Sequence, residues 1–109
     1  MPVLLQVDFP YSGPWGPAMT EALQGLAASI AQEPGLIWKI WTENAATNEA
    51  GGIYLFADQA SAEAWAKQVS ASLTAAGGTN LSIRYLAIDE GLSAITRANL
   101  PQQVAQAAE

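Results

Sequence analysis

A chain of 109 residues with 50% hydrophobic and 13% charged side chains is expected to fold around one core without covalent staples. It contains no cysteine and no histidine, which excludes disulfides, thiolate nucleophiles, Ser-His-Asp triads, His-ligated zinc and a proximal histidine for haem. Four Lys and Arg against ten Asp and Glu leave a net charge of −6, which disfavours nucleic acid and anionic membrane surfaces as partners.

No apolar run nears the roughly 20 residues of a membrane span. The first residues carry neither a basic leader region nor a cleavage site, so a cytoplasmic location is expected. Residues 3–9 alternate Val3, Leu5, Val7 and Phe9 with Leu4, Gln6 and Asp8, the period of a strand. Pro10 to Pro17 is dense in turn formers, and Pro17 suits a first helical turn, where its missing N–H is not needed. From Ala18 the residues Met19, Leu23, Leu26, Ala27 and Ile30 fall at helical spacing, and Pro34-Gly35 stops that helix.

Leu36–Glu43 reads as a second strand, Asn44–Ala50 as a polar loop and Gly51–Phe56 as a third strand. So short a connection predicts an antiparallel hairpin. Asp58 is placed to cap a helix with the stripe Ala62, Trp65, Ala66, Val69 and Leu73, closed by Gly77-Gly78. Leu81–Ile88 is a fourth strand. A C-terminal appendage from about Asp89 carries Leu92 and Ile95, is interrupted at Pro101 and ends in a Gln- and Ala-rich stretch expected to fray. The order β-α-β-β-α-β predicts an α+β fold, a ferredoxin-like subunit with a four-stranded antiparallel sheet, as one domain over 1–109.

Two helices cover one face of such a sheet. In-strand alternation assigns Leu5, Val7, Trp38, Ile40, Ile53, Leu55, Leu81, Ile83 and Tyr85 to the covered face. The opposite face then holds Leu4, Gln6, Asp8, Ile37, Lys39, Trp41, Glu43, Tyr54, Phe56, Arg84, Leu86 and Ile88. That set is too apolar for a solvated surface and too polar for a dry core. It predicts a face packed on a second copy of the chain, with a ligand cavity between the two.

Lys39 is the most informative candidate, because an unpaired ammonium in mid-strand is costly to bury. It either holds an anionic or enolate oxygen, or pairs with Glu43 or Asp8, or reaches out to the barrel mouth. Trp41 and Tyr54 are expected as neighbours if Lys39 faces Phe56, serving a flat ligand or a subunit seam. Trp38 and Trp65 are expected in the core, Trp15 as a lid, and Gly51-Gly52 as a bulge or a close backbone contact. Glu43 and Glu49 are more readily solvated acids than general bases. The scattered acids offer no metal site.

Gly13-Pro14-Trp15-Gly16, Gln32-Glu33-Pro34-Gly35, Trp38-Lys39, Trp41-Thr42-Glu43 and, most specifically, Glu49-Ala50-Gly51-Gly52-Ile53-Tyr54-Leu55-Phe56 carry a resemblance to a known family. From Leu4 to about Asn99 the chain resembles the YdhR-like monooxygenases of the dimeric α+β barrel superfamily. The resemblance implies a homodimer with a pocket in each protomer and cofactor-independent oxygenation of a small aromatic or polyketide-like molecule. On that reading Lys39 and Tyr54 are the catalytic candidates, and Gln6, Trp41, Phe56 and Arg84 the substrate-binding ones, with no cofactor or metal. A non-catalytic small-molecule binder, a stress-response protein and an isomerase or lyase on the same fold remain alternatives.

Overall fold

In the computed structural model, which describes residues 1–75 and 80–101, the alternating segment Val3–Pro10 is strand β1. Its inward residues Val3, Leu5 and Val7 are buried. The helical segment expected as one piece is two, α1 (Gly16–Ala22) and α2 (Gln24–Ile30), meeting at Leu23 with φ −107° and ψ 11°. Gly25, a poor helix former at the start of α2, leaves this junction weakly helical. Hydrogen bonds from Leu23 N–H to Met19 and from Ala27 N–H to Leu23 still bridge it. The apolar stripe is therefore kept while the axis bends.

Gly35, at φ +82°, turns the chain into β2 (Leu36–Asn44). Asn48, at φ 56°, closes the hairpin, so β3 runs Glu49–Phe56 and begins two residues earlier than the sequence pattern suggests. Asp58 caps α3 (Gln59–Ala75) as expected, its Oδ1 accepting from Ser61 N–H at 2.8 Å. The chain continues through β4 (Ser82–Ala87) to α4 (Glu90–Ile95), capped by Asp89 through Leu92 N–H at 2.9 Å. The expected Gly77-Gly78 stop and the Gln- and Ala-rich end lie outside the described residues.

The four strands form one antiparallel sheet in the order β2-β3-β1-β4, the ferredoxin-like arrangement. Val3, Leu5, Val7, Tyr54 and Phe56 meet Ile30, Ala62 and Ala66 in the core between sheet and helices. No helix among the described residues is long and apolar enough to cross a membrane.

The face assignment expected for β2 and β3 is inverted. Cross-strand pairs Leu5↔Tyr54, Val3↔Phe56, Lys39↔Tyr54 and Trp41↔Gly52 place Lys39, Trp41, Tyr54 and Phe56 on the helix side with Leu5 and Val7. Trp38, Ile40, Ile53 and Leu55 join Leu4, Gln6, Arg84 and Leu86 on the open side. Alternation sorts residues within a strand, but register alone decides which sets share a face. Here the β2–β3 grouping is as expected, and the pairing of β1 with β3, Leu5 opposite Tyr54, carries both strands' side chains to the other face. Trp38, expected in the core, instead donates its indole N–H to the Asn99 carbonyl at 2.8 Å, where the segment after α4 meets β2.

Candidate active site

The inversion relocates the cavity. It lies within one subunit, between sheet and helices, rather than between two open sheet faces. The long helix α3 packs directly on β1 and β3, whereas α1 and α2 stand further from the sheet. The gap is a cavity of about 430 Å³, within the roughly 300–1,000 Å³ usual for small-molecule sites. Lys39, Trp41 and Tyr54 form its floor. Met19, Leu23 and Ile30 line one wall, and Trp65, Val69 and Leu73 the other. Phe9 and Tyr11 continue the aromatic surface, and Tyr11 stacks edge-on against Trp15 at 5.1 Å. Trp15, expected as a lid, caps α1 outside this lining.

Gly52 explains how a lysine fits on the crowded side of the sheet. Opposite Trp41 on the neighbouring strand, it leaves open the volume that the Lys39 stem fills. A Cβ at Gly52 would come within 2.5 Å of Lys39 Cε. Adjacent Gly51 has a different reason, since its Cβ would drive into the Val7 carbonyl of β1. The pair thus marks close contact, not a bulge.

The Lys39 ammonium lies 3.3 Å from the Trp41 ring centroid and 4.6 Å from that of Tyr54. Burial lowers its pKa from the usual 10.5 to about 8. The carboxylates expected to pair with it are engaged elsewhere. Glu43 accepts from Gly16 N–H at 2.9 Å, and Asp8 accepts from the Gln6 amide at 2.9 Å on the open face. Among the described residues Lys39 has aromatic neighbours and no ion-pair partner. Glu49 accepts from the Thr47 hydroxyl at 2.9 Å in the hairpin turn.

Tyr54 is 3% exposed, and burial raises its pKa, so its hydroxyl stays protonated well above neutrality. The Trp65 ring lies 6.0 Å from that of Tyr54 at a 55° tilt, and its N–H slightly favours the phenolate. The indole N–H and the phenol oxygen do not meet in hydrogen-bond geometry, however, so the buried Trp65 N–H has no acceptor among the described residues. Trp65 is a cavity residue that sequence reasoning missed by placing it in the core, and Tyr11 is another, left in a turn. The available signal was chemical: an indole N–H on the apolar stripe Ala62, Ala66 and Val69 needs an acceptor that the stripe does not supply.

Of the six candidates, the fold brings Lys39, Trp41 and Tyr54 together. Phe56 is fully buried beneath them, its ring stacked on Tyr54 at 5.9 Å, and supports the floor without lining the cavity. Gln6 and Arg84 are cross-strand partners on the open face, away from the cavity. Among the described residues no three of His, Cys, Asp and Glu converge as a metal-binding group. Among the described residues the assembled site is an apolar chamber with one cation, Lys39, and two phenols, Tyr54 and Tyr11. It can hold a flat uncharged molecule and stabilise negative charge developing on its oxygen.

Two solved structures share this architecture. One is a mutant of SnoaB, a cofactor-independent oxygenase from Streptomyces nogalater, at 18% identity and TM-score 0.54, with 93% of this chain and 98% of that chain covered. The other is described as a putative antibiotic biosynthesis monooxygenase from Deinococcus radiodurans, at 14% identity and TM-score 0.50, covering 81% of this chain and 92% of that one. At such identities the likeness establishes the fold. No curated protein matches the chain. The family described as "putative mono-oxygenase ydhR" matches over residues 4–99, and to that family the chain belongs.

Proposed function

We propose that the protein is a cofactor-independent monooxygenase that oxidises a small, uncharged aromatic or polyketide-like substrate in this cavity, as a homodimer with one cavity per protomer. The observation that carries the reading is Lys39, an ammonium without a carboxylate partner held between two aromatic rings in an apolar chamber. A site with no other charge on its lining among the described residues is suited to an anion that forms during reaction rather than one that arrives with the substrate.

A methylene activated by a neighbouring carbonyl and aryl rings fits this requirement. Loss of a proton gives a carbanion whose charge lies largely on the carbonyl oxygen, where Lys39 and Tyr54 O–H are the available donors. The carbanion transfers electrons to dioxygen and forms a C–O bond. The resulting hydroperoxide loses water. One methylene and one dioxygen thus become one ketone carbonyl and one water. The carbon loses four electrons, and one oxygen atom ends in each product. Trp41 and Tyr54 present faces for stacking the rings, and the apolar walls keep water from the carbanion.

Pairing of the open sheet faces is supported by their apolar content. Leu4, Ile53 and Leu86 are half-buried there and Ile40 is 54% exposed. An oxygen electrode with an anthrone-type substrate tests the activity. Uptake of one dioxygen per product quinone, unaffected by chelators, is the expected result. Saturable quenching of tryptophan fluorescence by such ligands without oxygen uptake would overturn the oxygenase in favour of a carrier.

A further inference from the structure

The oxygenase reading uses Lys39 as an ammonium, but the same geometry gives that nitrogen a second chemistry. Nζ is reachable from a chamber of about 430 Å³ and is not tied down by a carboxylate. The residues that flank it are aromatic, Trp41 at 3.3 Å and Tyr54 at 4.6 Å, and either face stabilises an iminium cation as it does an ammonium. The Tyr54 hydroxyl is a neutral donor on the same lining, suited to a departing oxygen. Lysines desolvated in apolar pockets are the ones that form Schiff bases.

We propose that Lys39 is also a nucleophilic amine that condenses reversibly with a small uncharged aldehyde in the cavity. The nitrogen lone pair bonds to the carbonyl carbon as the C=O π bond opens, and a proton passes from nitrogen to oxygen. The carbinolamine C–O bond then breaks and water leaves. One amine and one aldehyde give one imine and one water, with no change in oxidation state. The ligand class follows from the lining. Lys39 is its only charged side chain among the described residues, so a carboxylated or phosphorylated aldehyde would have no counter-ion once the amine is neutral. Burial places the amine's pKa at about 8, so a useful fraction is neutral near physiological pH. The titratable groups facing it are Tyr54 and Tyr11, both phenols. Glu43, further along β2, is exposed and occupied by Gly16 N–H.

The test is reductive trapping on the wild-type protein with benzaldehyde and sodium cyanoborohydride, without oxygenase substrate, read by peptide mapping. Exposed Lys67 on α3 is the internal reference, and no variant has to fold. Near neutral pH the neutral fractions of amines with pKa about 8 and about 10.4 differ by roughly two orders of magnitude, partly offset by lower nucleophilicity. Benzylation of Lys39 at least about ten-fold faster than Lys67, with a pH midpoint near 8, is expected. Equal rates at the two lysines would overturn the proposal. So would 4-carboxybenzaldehyde modifying Lys39 as fast as benzaldehyde. Because trapping needs no dioxygen, its failure leaves the oxygenase reading standing, and failure of oxygen uptake leaves the imine standing.

Discussion

Replacing Lys39 by Met keeps much of the apolar stem and deletes the charge, and the structure assigns opposite signs to its effects on stability and activity. Displacement of the ammonium pKa from 10.5 to about 8, at about 1.36 kcal/mol per pH unit, corresponds to about 3 kcal/mol of destabilisation at neutral pH. The side chain is only partly buried, so water screens some of this. Contact with two aromatic faces offsets more, leaving about 1–2 kcal/mol. Lys39→Met should therefore be more stable than wild type by about that amount at neutral pH, raising Tm by about 5–10 °C. The folded chain holds the Lys39 proton more weakly than the unfolded chain. The penalty is thus complete below about pH 8 and disappears as pH rises towards the unfolded value near 10.5. Wild-type stability should climb towards that of the variant across this window. Tyr54 and Tyr85, both raised by burial, titrate in both proteins, so the difference between them isolates Lys39. Urea midpoints between about pH 7 and about pH 10 provide the measurement. A variant less stable than wild type at neutral pH, or a gap that does not change with pH, would refute the reasoning. Oxygen uptake by the variant should fall by about 10²–10³, the usual effect of losing one preorganised donor to an oxyanion.

Four further expectations concern neighbouring residues and the open face. Gly51→Ala should destabilise by about 1–3 kcal/mol in urea denaturation, because its Cβ meets the Val7 backbone. Gly52→Ala meets mainly the flexible Lys39 stem, so it should lose oxygen uptake and reductive trapping together at a much smaller stability cost. Trp65→Phe removes a buried N–H without an acceptor, so unfolding stability in urea should hold or rise, and a clear loss of stability would refute that reading. Light scattering should give twice the chain mass, and Ile40→Asp, at an open-face position 54% exposed in the subunit, should shift the protein towards monomer.

Local pattern was enough for the elements and for the sheet they build. Alternation in Val3–Phe9, the helical stripe through Trp65, Val69 and Leu73, the cap at Asp58 and the short hairpin each arise from contacts within a few residues, where physical periodicity is legible. The pairing of Lys39 with an aromatic neighbourhood was legible too, as was the rule that so many apolar strand residues need two covered faces. Which face is which was legible only in the folded chain. A one-residue difference in register turns every side chain of β2 and β3 over. It carried Lys39, Trp41 and Tyr54 from the open face to the helix side, left Gln6 and Arg84 behind, and moved the cavity inside the subunit. The same long-range packing left Trp65 N–H without an acceptor and freed Lys39 from Glu43, which a local reading had paired with it. The pairing that decides it, Leu5 of β1 opposite Tyr54 of β3, joins strands that are distant in the chain, a contact that local periodicity does not record.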